Sequence, residues 1–321
     1  MRHKIICQLS PLPIPFNLIS GRESIKLIQQ VNFYIHSLKP KFVGVEFIKS
    51  GFIRWVLKRA AGMLSTMSKP LTAERLRKTN IYAGVLHLAQ MAAVLALSSD
   101  FSLPINATYM SGPPGTTYAP PVTLFETPIG LSVAIFLGLS AFFHFLVASG
   151  KFYPRYAAGL ALKRNYFRWV EYSISSSVMI VLIAQVTGVA DITAIISIFG
   201  VNASMILFGW LQEKYESPGN GGWLPYIFGC ITGIVPWIAL CFYVFGIGGA
   251  GETKAPAFVY VIVFTIFLFF NSFALVQFLQ YKKVGKWSDY LRGEATYITL
   301  SLVAKSALSW QIFANTLIPP A

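Results

Sequence analysis

SLVAKSALSW, residues 301–310, sets a lysine inside an apolar run, and the reading of the whole chain turns on it. The run extends over 294–318, so Lys305 lies about eleven residues from either end, roughly 16 Å along a helix. From that depth the amine cannot reach an interface by stretching its stem. An ammonium at mid-span costs about 2.5 to 3.5 kcal/mol on insertion scales, so an ionisable group there either marks a functional site or is paired to a carboxylate for packing specificity. In its neutral form the amine is a nucleophile toward carbonyl carbon.

The rest of the chain supplies the bilayer that this argument needs. Its 321 residues are 55% hydrophobic and only 12% charged, with mean hydropathy +0.60, outside the range of soluble domains. Apolar stretches recur at 81–98, 128–149, 166–190, 192–211, 223–249, 256–279 and 294–318. Each is near the twenty residues that span hydrocarbon as a helix, and a helix satisfies its own backbone there. The expectation is an all-α membrane protein, a seven-transmembrane-helix bundle.

Net charge is +14, but the basic residues come in short clusters between apolar runs, which argues topology and not nucleic acid. Arg75, Arg77 and Lys78 precede the first run; Lys151, Arg155, Lys163, Arg164 and Arg168 follow the second; Lys282, Lys283, Lys286 and Arg292 follow the sixth. The alternate connections hold only Lys254, and residues 306–321 carry no charge. Positive charge stays inside, so the expectation is a cytoplasmic N-terminus, an outside C-terminus and a multi-pass protein of the cell membrane.

Between the runs, residues 99–127 carry PPG and place Tyr109 and Tyr118 about Gly112 to Gly115, which reads as a hairpin-like cap or as an ordinary polar loop. Residues 1–74 hold eleven Lys or Arg against three acids. Val45, Ile48, Phe52 and Val56 share a helical face beside Lys49, Arg54, Lys58 and Arg59, which suits a basic helix on the inner leaflet. The other reading starts translation at Met67, so the expected division is 1–66 and 67–321. Cys230 and Cys241 share one run about 16 Å apart, too far to bridge, and no disulfide framework or metal site is indicated. Gly229 and Gly233 form a GxxxG, a candidate close helix contact or dimer face.

Glu171, in RWVEYSISSS, is the carboxylate best placed to neutralise Lys305, since the other acids fall at or beyond span ends. The competing reading has it near the cytoplasmic end beside Arg168, one turn away. His87 and His144 fall in the same half as Glu171, which suggests a polar, hydrated pocket, with Gln90, Asn202 and Gln277 to satisfy its donors. The sixth run is aromatic, FVYVIVFTIFLFFNSFALVQF; with Trp237 beside Pro236, and Trp310 five residues after Lys305, it suits a flat polyene or plain core packing. No nucleophile elbow, metal-ligand cluster or phosphate-binding glycine loop is present, so no enzyme is expected.

NIYAGVLHLAQ (80–90), LFETPIG (124–130), LGLSAFFHF (137–145), FRWVEYSISSSVMIVLIAQ (167–185), IFGVNASMILFGWLQEKY (198–215), FFNSFALVQ (269–277) and LSLVAKSALSWQIF (300–313) together resemble the heliorhodopsins. The resemblance runs from about Met67 to the C-terminus, and that family's inverted orientation agrees with the loop charges. It implies a rhodopsin-like fold binding all-trans retinal covalently on Lys305 as a protonated Schiff base, with Glu171 as its single counterion. Ser301 then stands where pumping rhodopsins keep a second carboxylate. The resemblance also implies that His87 and His144 are the cytoplasmic-side histidine pair, that Ser176 and Ser301 belong to the Schiff-base region, and that Met179, Met205, Gly209, Pro236, Phe270 and Gln277 lie near the chromophore. It implies as well a homodimer and a slow photocycle.

Pumps related to bacteriorhodopsin carry carboxylate, hydroxyl and carboxylate at i, i+4 and i+11 of the third span; here those positions read Glu171, Ser175 and Leu182. Without the second carboxylate, re-protonation across the membrane lacks an obvious relay, which argues against an efficient proton pump. The expected function is therefore light sensing through an unknown cytoplasmic signalling partner. The alternatives are a light-gated proton channel or transporter, or a retinal-free carrier or enzyme.

Overall fold

A computed structural model describes residues 71–247 and 255–317, all within the unit Thr66–Ala321. The basic helix expected over 45–59 and the boundary at 66 lie outside the described residues. Eight α-helices form among the described residues: α1 Ala73–Leu97, α2 Ile129–Ala148, α3 Tyr153–Ala161, α4 Tyr166–Val186, α5 Ile192–Tyr215, α6 Leu224–Val244, α7 Ala257–Tyr281 and α8 Tyr290–Ile312. Six of them, α1, α2, α4, α5, α6 and α7, are long and apolar enough to cross a membrane. At 23 residues α8 is equally long, but Lys305, Ser301, Ser306, Ser309 and Thr299 on its buried surface lower its hydropathy, and it is not among the six.

Consecutive long helices pack as neighbours, and α8 closes back on α1, so the chain forms a ring. Of the six apolar helices α4 is the most buried and α5 and α7 the least, and 15 of the 23 residues of α8 are buried, which puts α4 and α8 at the centre. Their inward faces carry Met179, Ile180, Leu182 and Ile183 of α4 and Leu302 of α8, all at most 2% exposed. Short polar side chains start the helices where the backbone N–H groups have no helical partner. Asn165 accepts from Arg168 N–H at the head of α4, Asp191 from Thr193 and Ala194 N–H at α5, and Asp289 from Leu291 N–H at α8.

Residues 99–127 form the hairpin: β1 Ser102–Ala107 runs antiparallel to β2 Val122–Pro128, with a further bridge between Met110 and Tyr118. A bulge falls between Ile105 and Asn106, where Asn106 N–H turns away to donate to Ala190 C=O and ties the cap to the head of α5. The basic connection after α2 is no plain loop, because Tyr156 and Leu160 bury one face of the short helix α3. The GxxxG of α6 makes its close contact inside the chain: a Cβ at Gly233 would fall 2.5 Å from Met205 Sδ, and one at Gly229 3.4 Å from Phe208 Cβ. That face is spent on α5, which corrects its reading as a dimer face.

Candidate functional site

Lys305 and Glu171 meet at the centre of the bundle, 3% and 5% exposed. The Lys305 Nζ donates to Glu171 Oε1 at 2.6 Å and to Ser301 Oγ at 3.0 Å. Ser301 lies four residues earlier on α8, and in a helix that spacing stacks the two side chains on one face. Ser140 Oγ of α2 donates to the same carboxylate oxygen at 2.7 Å. The Nζ also lies 5.2 Å from the centre of the Tyr172 ring, close enough for attraction to the ring face; the Tyr172 hydroxyl donates to Tyr297 C=O. A buried ion pair holds only when its remaining hydrogen-bonding capacity is used, and the two serine hydroxyls supply that here.

The competing reading, Glu171 beside Arg168, is overturned by what Arg168 does. Its guanidinium, one turn earlier on α4, pairs instead with Glu213 of α5 and Glu294 of α8. It lies over the rings of Trp169 and Tyr297 at 4.4 and 4.2 Å. Asn165 completes the set, donating its N–H to Glu213 at 2.6 Å and its Nδ2 to Glu294 at 2.7 Å. The interior thus holds two separate charge sets at different depths.

His87 and His144 stack, with ring centroids 5.5 Å apart and planes 11° from parallel. The His144 Nδ1 is 2.7 Å from Asn80 Oδ1, while neither nitrogen of the fully buried His87 has a partner among the described residues. A cavity of about 40 Å³ touches Asn80, Ser140, His144, Arg168, Glu171 and Glu294. That is room for roughly one to three waters, with polar partners on several sides. This cavity lies between the two charge sets, and of the residues expected to form a polar pocket only His144 lines it; His87, Gln90, Asn202 and Gln277 do not.

The other expected residues are placed less uniformly. Ser176 is not brought to the amine: its hydroxyl donates to Tyr172 C=O and accepts from Asn202 Nδ2 at 2.8 Å. Gln90 takes the indole N–H of Trp310 at 3.1 Å, pinning α1 to α8 one turn beyond the lysine. Gln277 donates to Gly209 C=O; a Cβ at Gly209 would fall 2.5 Å from Trp169, so only glycine admits that ring. Trp237, following the buried Pro236, stands edge-on to Phe270 at 5.6 Å. Met205 packs on Gly233, and Met179 is 2% exposed.

Sequence reasoning missed Ser140, Asn80, Tyr172, Glu213 and Glu294. Ser140 had a signal, since it precedes His144 by four residues and so shares its helical face. The donor set at Lys305 fits retinal by its chemistry: one primary amine, one carboxylate, two hydroxyls, and no second acid bonded to the amine among the described residues.

A ring of apolar helices about a buried amine neutralised by one carboxylate defines an integral, multi-pass membrane protein of the rhodopsin class. The sequence model of the heliorhodopsin family matches residues 76–317, and the chain belongs to that family. Retinal is the chromophore that membership implies. Among solved structures the chain is similar to cyanorhodopsin from the cyanobacterium Tolypothrix sp. NIES-4075, at 11% identity and TM-score 0.52 over 77% of this chain and 94% of that one. It is also similar to a light-driven proton pump from Leptosphaeria maculans, at 18% identity and TM-score 0.48 over 75% and 94%. At such identities the likeness to cyanorhodopsin speaks to fold alone. No match was found among curated protein sequences.

Proposed function

We propose that residues 67–321 form a light-sensing photoreceptor, in which Lys305 carries all-trans retinal covalently as a protonated Schiff base and Glu171 is its sole counterion. The observation that carries this reading is the 2.6 Å contact of Lys305 Nζ with Glu171, buried and backed by Ser140 and Ser301. Retinal bound there supplies visible absorption and photoisomerisation. The chain's own residues do the rest. Glu171 holds positive charge at the Lys305 nitrogen, Ser140 and Ser301 fix the geometry of that contact, and the cavity beside His144 offers a proton somewhere to go. Met179, Trp237, Phe270 and Trp310 supply apolar walls that exclude water from the polyene.

On this reading α8 is the seventh span, the N-terminus is cytoplasmic, and the protein is a signalling homodimer in the plasma membrane with a slow photocycle, neither pump nor enzyme. The basic residues 75–78, 151–168 and 282–292, all at one set of helix ends, support the orientation. A C-terminal tag should be labelled on unpermeabilised cells; labelling only after permeabilisation overturns the orientation. The cavity joining Glu171 to Arg168 favours one second reading, light-gated proton movement, which a photocurrent in voltage-clamped cells would establish. The central test is the absorption spectrum of the purified chain with and without added all-trans retinal. A visible band that grows with retinal supports the proposal, and none at any pH refutes it.

A further inference from the structure

At the ends of α4, α5, α7 and α8 a second cavity of about 170 Å³ opens, which shares Arg168 with the Glu171 cavity but is lined by neither Lys305 nor Glu171. Lys163, Arg164, Lys214 and Lys283 line it, and none of the four makes an ion pair among the described residues. The two acids that share the lining are engaged. Glu213 is bound by Arg168 and by Asn165 N–H, and Glu216 accepts from Asn220 Nδ2 at 2.6 Å. Like charges gathered about one small space repel, and the repulsion is relieved by an anion among them.

The backbone gives an independent indication. Lys163 and Lys283 are the two non-glycine residues with positive φ among the described residues, at 55° and 54°. Each ends a helix at a position where glycine or asparagine is ordinarily found. Left-handed backbone at a side-chain-bearing residue costs free energy and collects at ligand clamps, and both lysines stand on this one cavity. Arg164 is held across the opening by its Nη2 bond to Lys214 C=O at 3.2 Å. On the floor is Arg168, 7% exposed, whose Nε has no partner among the described residues.

We propose that this basin is a binding site for a phosphate-class anion, either free phosphate or the headgroup of an acidic phospholipid. Several ammonium groups and a guanidinium about a space of this size suit a compact polyanion better than a monovalent ion. Arg168 lines both this basin and the Glu171 cavity.

The test is calorimetric titration of the full chain in phosphate-free maltoside micelles, first with inorganic phosphate and then with dihexanoyl phosphatidic acid. Saturable binding to one site per chain is expected, weakened about tenfold or more in the double variant Arg164→Gln, Lys283→Gln. It should be unchanged in Lys151→Gln, which removes a cation outside the basin. Lys163→Gly is the second variant: it removes a basin cation while relieving the left-handed backbone, so binding should weaken with thermal stability unchanged or raised. Binding of phosphate identifies a free anion, and binding of phosphatidic acid alone identifies a lipid headgroup. Absence of saturable binding to both, or equal weakening in Lys151→Gln, overturns the proposal. Neither readout involves light or retinal, so the result stands or falls separately from the photoreceptor reading.

Discussion

Glu171→Gln removes one negative charge while keeping side-chain length and an acceptor oxygen, so it isolates electrostatics from packing. At the 2.6 Å separation of Lys305 Nζ and Glu171 Oε1, opposite unit charges attract by about 6 kcal/mol at an effective dielectric of about 20. The glutamine carbonyl and the hydroxyls of Ser140 and Ser301 return part of this. A net loss of about 1.4 to 4 kcal/mol then corresponds to roughly one to three pH units, at about 1.36 kcal/mol per unit. The sign follows from the charge: an anion favours the protonated nitrogen, so without it the proton leaves at lower pH. The assay is a pH titration of the visible band in protein reconstituted with all-trans retinal. Its midpoint should fall by that amount, and whatever stays protonated should absorb further to the red. If midpoint and absorption maximum both match the wild type, Glu171 is not the counterion, and the pair serves packing alone.

Lys305→Ala should abolish the visible band with helical circular dichroism retained; a persisting band would refute the covalent assignment. Because the change leaves Glu171 buried without its cation, melting in detergent should fall by about 3 to 5 kcal/mol unless the carboxyl takes up a proton. Ser140→Ala removes one donor to Glu171 and should move the midpoint in the same direction as Glu171→Gln but by about one unit or less; an unmoved midpoint would show that the hydroxyl does not support the counterion. Asp191→Ala should cost about 1 kcal/mol through the lost cap of α5. The Thr193 hydroxyl and the Ala194 and Thr193 N–H groups hold the Asp191 carboxyl below its usual range, so its contribution is present above about pH 4 and is lost as pH falls through the folded value. Thermal melts of the two proteins should therefore converge in acid, and a difference that persists there would contradict the cap.

Lys305 and Glu171 were legible because a charge in mid-span has few explanations and few partners. PPG and its flanking tyrosines left the hairpin level with an ordinary loop, and the β1–β2 pairing decides it. What stayed hidden depended on rotation about helix axes and on distant pairing. Ser175, Ser176 and Ser177 are adjacent in sequence, but each residue turns about 100° from the last. Ser176 therefore meets Asn202 and not the amine, while Ser301, fixed by its spacing of four from Lys305, points where expected. Arg168 looked like the neighbour of Glu171 because they are three residues apart. Its real partners, Glu213 and Glu294, are 45 and 126 residues away at helix ends where an acid is unremarkable. The GxxxG showed that two helices approach closely there; only packing could tell that the second was α5.

Separating the two charge sets also bears on whether such a site pumps. A proton leaving the Lys305 nitrogen has polar groups to reach on one side: Glu171, the cavity, His144 with Asn80, and beyond them Arg168 with its two glutamates. In the other direction along α4, Leu182 stands eleven residues after Glu171 and is 1% exposed, and next to it Ile183 and Ala184 are fully buried. On α8 that direction holds the hydroxyls of Ser306 and Ser309 and the Trp310–Gln90 hydrogen bond, in which the indole can only donate, and no acid. On the proposed photoreceptor reading the proton leaves and returns by that side alone, and such a proton carries no net charge across the bilayer, however often the cycle turns. On that same reading the cycle changes the charge beside Arg168, whose cluster with Glu213 and Glu294 ties α4, α5 and α8 together, and a signalling partner would read a surface altered there. A sustained photocurrent from the wild-type chain would break this step.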